Sequence, residues 1–259
     1  MTLVPALLLS SALAAAALWR RALTLGGTAL AWALCTVITA LGGGTAFAVL
    51  AVTLLGTVAA DRFAGGRTDP NGVRRKSGSR DALRVACNVG GAGISLAVFG
   101  LTGNAALRVG FCAVMAESLA DSLASKLGPL SKRPPRDICT GRPIPTGLSG
   151  GVTLLGTCAE LLGAALVAGV SGVGYRSGRL FCIVLAAGFL GAVCDSVLGS
   201  CLQVKYRCAV CGAVTEREAH CGAPTERLRG LRCVSNDAVN LLSNLCSLAL
   251  ALAACAWLQ

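Results

Sequence analysis

Two short acidic motifs interrupt long apolar stretches of this sequence. Asp121 lies in MAESLADSLASKL (115–127), and Asp195 lies in GAVCDSVLGS (191–200). An ionisable residue in a membrane helix is costly and is by default a functional candidate. Two such carboxylates can hold Mg²⁺, which takes one or two of them and completes its shell with substrate phosphates and water. We therefore predict Asp121 and Asp195 as Mg²⁺ ligands. The predicted catalytic set is Asp121, Asp195, Ser122, Ser196 and Ser125.

The two motifs also form a weak internal repeat. Glu117, Asp121 and Ser125 are spaced four residues apart, which places them on one helix face. The segments LADSLASKLG and VCDSVLGSCL share an Asp-Ser pair near the same end of two apolar segments. Weak internal symmetry can mark a binding site between repeats. The alternative is a pair of carboxylates at the membrane edge, each neutralised by an arginine from a loop.

Glycine-rich and amide-rich segments follow a similar arrangement. CNVGGAG (87–93) and LSGGVT (148–153) each enter an apolar segment, and SNDAVN (235–240) opens the last one. The N-terminus of a helix offers backbone N–H groups and a positive dipole end to a phosphate. Helix packing is the alternative role of the glycine pairs, and N-capping is that of Asp237. The predicted phosphate-binding residues are Arg80, Asn88, Gly90, Gly91, Ser149, Gly150, Gly151, Asn236, Asp237 and Asn240.

A second motif consists of metal-ligand residues. CAVCGAVTEREAHCG (208–222) contains Cys208, Cys211, His220 and Cys221, and His220 is the single histidine of the chain. A CxxCG turn is the shape that wraps zinc, and three cysteines with one histidine make a structural zinc set. Cys201 or Cys233 can substitute if adjacent His220 and Cys221 do not bind one ion. Free or palmitoylated thiols and redox use are the alternatives to a zinc ion.

The surrounding composition is that of a membrane protein. Of the 259 residues 54% are hydrophobic and 14% are charged, and the mean hydropathy is +0.71. We predict an all-α polytopic membrane bundle of about eight transmembrane helices with a small zinc-knuckle-like cytosolic loop, the first helix being retained as a span. The domain prediction is a three-helix anchor over 1–60 and a five-helix core over 61–259 with cytosolic loops 61–84, 124–147 and 201–236. The predicted spans are 2–19, 22–41, 45–60, 85–101, 105–123, 148–170, 180–200 and 238–258.

The net charge of +11 follows the predicted topology. With eight spans, 20 of the 23 lysines and arginines fall on the side of the three long loops. The positive-inside rule makes that side cytosolic. Topology and phosphate binding both account for this charge, and its distribution argues against a nucleic-acid partner. We expect a multi-pass protein of an endomembrane or organelle envelope. Six of the 14 cysteines lie at the cytosolic side, where a disulfide framework is not expected.

Several segments together resemble an integral-membrane family that includes transmembrane protein 19 and the plant phytyl-phosphate kinase of tocopherol synthesis. Two positions depart from the family pattern: Lys126 stands where the family has Glu, and Leu148 follows Gly147 where the family has Gly-Thr. The matching segments are KSGSRDALRVACNVGG (76–91), ADSLASKLGPLSK (120–132), PTGLSGGVTLLG (145–156), GFLGAVCDSVLGSCLQ (188–203), the CxxC/HC loop and NDAVNLLS (236–243).

The resemblance implies a CTP-dependent kinase that phosphorylates a membrane-embedded isoprenyl or phytyl phosphate. It implies Mg²⁺ and CTP as cofactors, and a membrane lipid and a nucleotide as partners. A lipid-phosphate transporter would use the same anion site without transfer chemistry. A non-catalytic membrane scaffold is the third possibility, and the cation at Lys126 favours it. The retained Asp-Ser pairs and glycine-rich segments favour the kinase.

Overall fold

The structure, a computed structural model, describes residues 3–65, 73 and 79–258. Part of the predicted loop 61–84 and of the segment 76–91 lies outside these residues. The described helices are α1 Leu3–Trp19, α2 Leu25–Ala64, α3 Ala82–Val85, α4 Gly91–Thr102, α5 Ala105–Leu127, α6 Leu154–Gly174, α7 Gly178–Cys201 and α8 Asn236–Trp257. A π-helical turn, Ala86–Gly90, joins α3 to α4, and a 3₁₀ turn, Gly128–Leu130, follows α5.

The helices confirm a membrane protein but not the predicted count of about eight separate spans. Within the described residues, five helical segments are long and apolar enough to cross a bilayer: Leu25–Ala64, Ala82–Thr102, Leu154–Gly174, Gly178–Cys201 and Asn236–Trp257. Helix α1 has 17 residues, short of the roughly 20 that a bilayer requires. Helix α5 is less apolar because it carries four charged residues. The predicted segments 22–41 and 45–60 are both part of α2.

Helix α2 folds back on itself at Gly43. This residue has φ +71°, a conformation that glycine adopts without steric cost. Thr24, just before the helix, donates its N–H to the carbonyl of Arg80 (3.0 Å), and Asp61 near its other end forms an ion pair with Lys126. In the middle of α2, by contrast, the carbonyl of Gly42 accepts from the hydroxyl of Tyr175 (3.5 Å), which follows the C-terminal end of α6. Both arms of α2 therefore begin or end at one side of the bundle, called here the loop end.

Helix α5 is the centre of the bundle, and every residue from Gly110 to Ala120 is buried. Glycines let its neighbours approach closely, as is common between membrane helices. A Cβ on Gly163 of α6 would lie 2.7 Å from Ala120 Cα, and one on Gly188 of α7 would lie 2.5 Å from Ala116 Cβ. The acidic residues at the loop end of α5 are therefore held between α6 and α7.

The all-α prediction was wrong for the loops, whose described residues include six short strands. These are β1 Arg136–Asp137, β2 Gly151–Val152, β3 Lys205–Cys208, β4 Val214–Thr215, β5 Ala219–His220 and β6 Ala223–Arg229. Strands β1 and β2 pair antiparallel, and the other four form an antiparallel sheet in the order β4-β3-β6-β5. Most of these strands are too short to show the alternating pattern by which a strand is read from sequence.

Candidate functional site

A cavity with about 270 Å³ of free space opens among the helices at the loop end. Side chains from both predicted acidic motifs line it, as do the LSGGVT segment and the start of α8. Thirteen of the predicted catalytic and phosphate-binding residues lie on its wall: Arg80, Asn88, Asp121, Ser122, Ser125, Ser149, Gly150, Gly151, Asp195, Ser196, Asn236, Asp237 and Asn240. The structure therefore brings together residues that lie up to 160 positions apart in the chain.

Asp121 and Asp195 face the cavity from α5 and α7, which pack against each other. Both carboxylates are half-buried, and they are close enough to repel each other electrostatically. Ser122, Ser125 and Ser196 line the same cavity, and the Ser125 hydroxyl donates to the Ser122 carbonyl (3.2 Å). The structure therefore places both predicted Mg²⁺ ligands on the wall of one cavity.

A network of hydrogen bonds among buried polar side chains reaches the carboxylate of Asp195. The hydroxyl of Ser243 on α8 lies 3.2 Å from Asp195 Oδ2 and 2.7 Å from Oε1 of Glu117. Asn240 is best satisfied with its amide nitrogen donating to Asp195 Oδ2 (3.2 Å) and to the Asn236 carbonyl (3.1 Å). Buried polar networks of this kind fix a single arrangement when their members are satisfied. Glu117 is thus a residue behind the site and does not line the cavity.

Ser118 and Asn244 extend this network to the π-helical turn. The Ser118 hydroxyl donates to the carbonyl of Asn88 (2.7 Å), and Asn244 donates to that of Cys87 (3.0 Å). A π-helical turn leaves such carbonyls without regular helical partners, and it is frequent at functional sites. The Asn88 side chain donates to the Arg84 carbonyl (2.8 Å) and lines the cavity.

Sequence reasoning missed further polar residues of the cavity wall. Glu160, on α6, is 5% exposed and lies close enough to Asp121 to interact electrostatically with it. It is a lone carboxylate in an apolar segment, so the rule that identified Asp121 could have found it. The other missed residues show no such signal, because none of them is a carboxylate within an apolar segment. They include Thr53, Thr57, Arg84 and Glu216.

Gly90 and Gly91, which we predicted to lie at a phosphate-binding helix start, do not lie at the start of a helix. Both have ordinary right-handed helical φ/ψ values, and neither lines the cavity. The helix begins nine residues earlier, where the Asp81 carboxylate accepts from the N–H of Arg84 (2.9 Å) and caps it. Backbone N–H groups at Gly90 are therefore inside the helix and not at its N-terminus.

The second glycine pair forms a tight turn at the cavity. Gly150 has φ +83°, and a Cβ there would lie 2.5 Å from the Cα of Ser200 on α7. Only glycine allows this close approach. Helix α6 starts after the turn, and Thr153 caps it by accepting from the N–H of Gly156 (3.0 Å). The turn Ser149–Gly151 therefore presents backbone, with little side-chain bulk, to the cavity.

Arginines and a lysine complete the wall. Arg84 Nε lies 3.8 Å from Oδ1 of Asp237, which is buried. Ser235, and not Asp237, caps α8 by accepting from the N–H of Ala238 (3.4 Å). Burial lowers the pKa of Arg80, and nearby Asp61 and Asp121 oppose that change. The cavity thus presents cationic side chains beside its carboxylates.

Lys126, the departure from the family pattern, is neutralised within the structure. Its ammonium group forms an ion pair with Asp61 near the end of α2. Both residues are partly exposed, and Lys126 lies on the cavity wall. The positive charge is therefore shared with Asp61 and does not stand alone beside Asp121.

The donor chemistry of the cavity fits Mg²⁺. Asp121, Glu160 and Asp195 supply hard carboxylate oxygens whose mutual repulsion a divalent cation would offset. In the described part of the chain these three do not form a compact three-ligand cluster; the one such group is the Cys/His set. Mg²⁺ needs one or two carboxylates and takes its other ligands from phosphates and water, so this spacing is compatible with it.

The Cys/His motif forms a compact cluster that can hold a metal ion. The ligand atoms of Cys208, Cys211, His220 and Cys221 all lie within 4.8 Å of one another. His220 Nδ1 is 3.5 Å from Cys211 Sγ and 3.2 Å from Cys221 Sγ, so the adjacent His220 and Cys221 reach one point. The backbone turns through Gly212 (φ +72°) and Gly222 (φ +75°). A hydrogen bond from the Cys211 backbone lowers the pKa of Cys208 to about 6, which suits a thiolate ligand.

The two cysteines considered from sequence as substitute ligands, Cys201 and Cys233, lie outside the cluster. Cys201 lies 3.4 Å from Cys139, Sγ to Sγ, at the end of α7. Cys233 is exposed and is not part of the cluster. All fourteen cysteines are free thiols in this structure.

Fold and cavity define a class: a polytopic helical membrane protein with an acidic, glycine-lined cavity at one end. The chain belongs to the family described as integral membrane protein DUF92, which it matches over residues 8–248. This is the family that the sequence segments resembled.

Two curated relatives are similar to parts of the chain. An uncharacterized membrane protein of Methanocaldococcus jannaschii is 33% identical over 110 residues, which is 42% of this chain and 45% of that protein. Protein PGR of Arabidopsis thaliana is 27% identical over 195 residues, 65% of this chain and 67% of that protein. The chain thus matches less than half of the archaeal relative and two thirds of the plant one. No solved structure matches.

Proposed function

We propose that this protein is a kinase that transfers a phosphoryl group from CTP to a membrane-embedded isoprenyl or phytyl phosphate at a cytosol-facing Mg²⁺ site. The observation that carries the proposal is the single cavity in which Asp121 and Asp195 meet the Ser149–Gly151 turn and the arginines. Phosphoryl transfer needs positioning and charge neutralisation more than covalent catalysis. CTP is the donor that the family resemblance implies.

The size and polarity of the cavity support a lipid acceptor whose tail stays outside it. About 270 Å³ is at the lower limit of small-molecule sites and suits a polyphosphate group. An isoprenoid chain of phytyl length would not fit beside it. The tail would remain along the apolar helix surfaces in the bilayer, with only its phosphate in the cavity.

The residues divide into binding and positioning roles. Asp121 and Asp195 would hold Mg²⁺, which when bound neutralises the phosphate oxygens, and Glu160 would add a third carboxylate. The Ser149–Gly151 turn and Arg80 would bind the phosphates of the nucleotide. An oxygen of the acceptor phosphate attacks the terminal phosphorus of CTP, the bond to the β-phosphate oxygen breaks, and CDP leaves. No proton acceptor is needed, because the attacking oxygen is already ionised at neutral pH.

The test is transfer of labelled terminal phosphate from CTP to a panel of isoprenyl phosphates. The purified full chain is placed in lipid nanodiscs with Mg²⁺, and Asp121→Asn, Asp195→Asn and Glu160→Gln are compared with it. Glu226→Gln, an exposed residue of β6, is the matched control. We expect losses of at least about a hundredfold for Asp121→Asn and Asp195→Asn, of the size seen when transition-state charge stabilisation is removed.

Three outcomes would contradict the proposal or a part of it. Absence of transfer with every donor and acceptor tested would indicate a non-catalytic membrane scaffold. Movement of a lipid phosphate across the bilayer without transfer would indicate a transporter. Transfer that is unchanged in Asp121→Asn would remove this residue from the site.

A further inference from the structure

Side chains from the sheet β4-β3-β6-β5 and from the residue that follows β4 bind both backbone polar groups of Ser149. The N–H of Ser149 donates to Glu216 Oε1 (2.8 Å), and its carbonyl accepts from Lys205 Nζ (2.8 Å). Lys205 is fully buried and Glu216 is 3% exposed. Burying two charges is costly unless each is paired, so this contact strongly favours one position of the turn.

A second contact joins the same sheet to the cavity wall. Arg229, which pairs with Lys205 in the sheet, donates to Asp137 Oδ2 (3.3 Å), and Ser200 of α7 donates to the same oxygen (2.8 Å). The next residue, Ile138, donates its N–H to the carbonyl of Gly150 (2.9 Å). Residues at the Lys205–Arg229 end of the sheet therefore reach the Ser149–Gly151 turn by two routes.

The opposite end of strand β3 carries the Cys/His cluster. Lys205 begins β3 and Cys208 ends it, so the two are about 10 Å apart along the strand. Glu216 directly follows β4, whose Thr215 pairs with Tyr206 of β3. The cluster and the residues that hold Ser149 are thus parts of one small structural unit.

This unit is small. The segment that contains the sheet is shorter than the roughly 40 residues below which metals or disulfides are usually needed. Strand β6 is mostly exposed, and the cysteines are free thiols. A metal ion on four ligands supplies folding free energy to such units.

We propose that a zinc-class metal ion at Cys208, Cys211, His220 and Cys221 sets the position of the Ser149–Gly151 turn, with Lys205 and Glu216 as positioning residues. The metal acts on anion binding through strand β3 and does not touch the ligand. This inference rests on the proposed function only in that the turn binds phosphate.

The experiment measures three quantities on the full chain in nanodiscs. These are metal content by mass spectrometry, amide hydrogen exchange at residues 148–151, and binding of CTP with Mg²⁺ by equilibrium dialysis. Cys211→Ser removes a metal ligand, and Cys233→Ser is the matched control from the same loop. Lys205→Met keeps the ligands but removes the contact to the Ser149 carbonyl.

We expect Cys211→Ser to lose the metal, to raise exchange at 148–151 at least about tenfold, and to weaken CTP binding by a similar factor. Lys205→Met is expected to keep the metal and to show the same two changes, and Cys233→Ser to match the parent protein. Metal loss with unchanged exchange at 148–151 would overturn the inference, as would a Lys205→Met variant that exchanges like the parent.

The two proposals fail separately. If exchange at the turn follows the metal but no nucleotide binds, the coupling stands and the kinase proposal fails. If CTP binds equally well with and without the metal, the coupling fails and the kinase proposal stands.

Discussion

The hydroxyl of Ser243 on α8 lies 3.2 Å from Oδ2 of Asp195 on α7. The same hydroxyl is 2.7 Å from Oε1 of Glu117 on α5, so one side chain connects three helices behind the cavity. Because the Asp195 carboxylate also receives the Asn240 amide, its direction is fixed by α8. Metal sites depend on such supporting hydrogen bonds nearly as much as on the ligands themselves.

Replacement of Ser243 by Ala should therefore impair the site more than the fold. Loss of a donor to a buried carboxylate costs about 1–3 kcal/mol. Ser247→Ala, one turn further along α8, is the control because Ser247 donates only to the carbonyls of Ala113 and Ala187. We expect similar unfolding temperatures for both variants and a loss of phosphoryl transfer confined to Ser243→Ala. Equal activity of the two variants would show that Asp195 does not need this support.

Lys126 should prove dispensable for catalysis. Its ion pair with Asp61 is partly exposed, and such pairs contribute about 0–1 kcal/mol. We expect Lys126→Met to unfold within about 2 °C of the parent protein, the shift expected for a loss well below 1 kcal/mol in a chain of this size, and to retain most of its activity. Abolished transfer with an unchanged unfolding temperature would instead make Lys126 a residue of the reaction.

Asp137 should make the loop packing sensitive to acid. Burial acts to raise the pKa of Asp137, but hydrogen bonds from Ser200, Thr140 and Arg229 outweigh it and lower the pKa to about 2. A carboxylate with a depressed folded-state pKa stabilises the fold above its unfolded pKa of about 3.9, and this contribution is lost as the pH falls toward about 2.

The measurement is the difference in unfolding temperature between the parent protein and Asp137→Asn in detergent. This difference should be constant from about pH 7 to pH 5 and should shrink below about pH 4. A difference that stays the same down to about pH 2 would mean that Asp137 does not have these partners in solution.

Cys139 and Cys201 provide a check of how the β1 loop packs on α7. Their sulfur atoms are 3.4 Å apart and both residues are exposed. Copper phenanthroline with oxygen should oxidise the two thiols to one disulfide, with loss of two protons and two electrons to the oxidant. Peptide mapping by mass spectrometry should find this crosslink in the parent protein and lose it in Cys139→Ser. A crosslink from Cys201 to another cysteine would contradict the packing.

The part of the site that sequence could predict is the part carried by rare residues in apolar helices. Asp121 and Asp195 stand out because lipid-facing helices seldom contain carboxylates. Gly90 and Gly91 could not be placed, since the pattern does not show that Asp81 caps the helix nine residues earlier. Lys205 and Glu216 form hydrogen bonds with Ser149 although they lie 56 and 67 positions away from it in the sequence. Such contacts depend on tertiary packing, which no local sequence pattern encodes.

For the fold, the sequence likewise predicted some elements, the helices, and missed others, the short strands. Apolar segments predicted most helix positions, because each helix must cover its backbone polar groups in lipid. The predicted break between residues 41 and 45 coincides with Gly43, whose φ of +71° interrupts the helix, so the two predicted spans correspond to the two arms of α2. The small sheet was missed because β4 and β5 are each two residues long and its longest strand, β6, is mostly exposed and has no alternating apolar face.

The claim at the centre of this interpretation is that Asp121 and Asp195 bind one divalent cation together. Electron paramagnetic resonance with Mn²⁺ in place of Mg²⁺, in the presence of CTP, tests it most directly. We expect one bound Mn²⁺ per parent chain and a loss of affinity of at least about tenfold in both Asp121→Asn and Asp195→Asn, with Glu226→Gln unchanged. Mn²⁺ bound with parental affinity by either aspartate variant would contradict the claim.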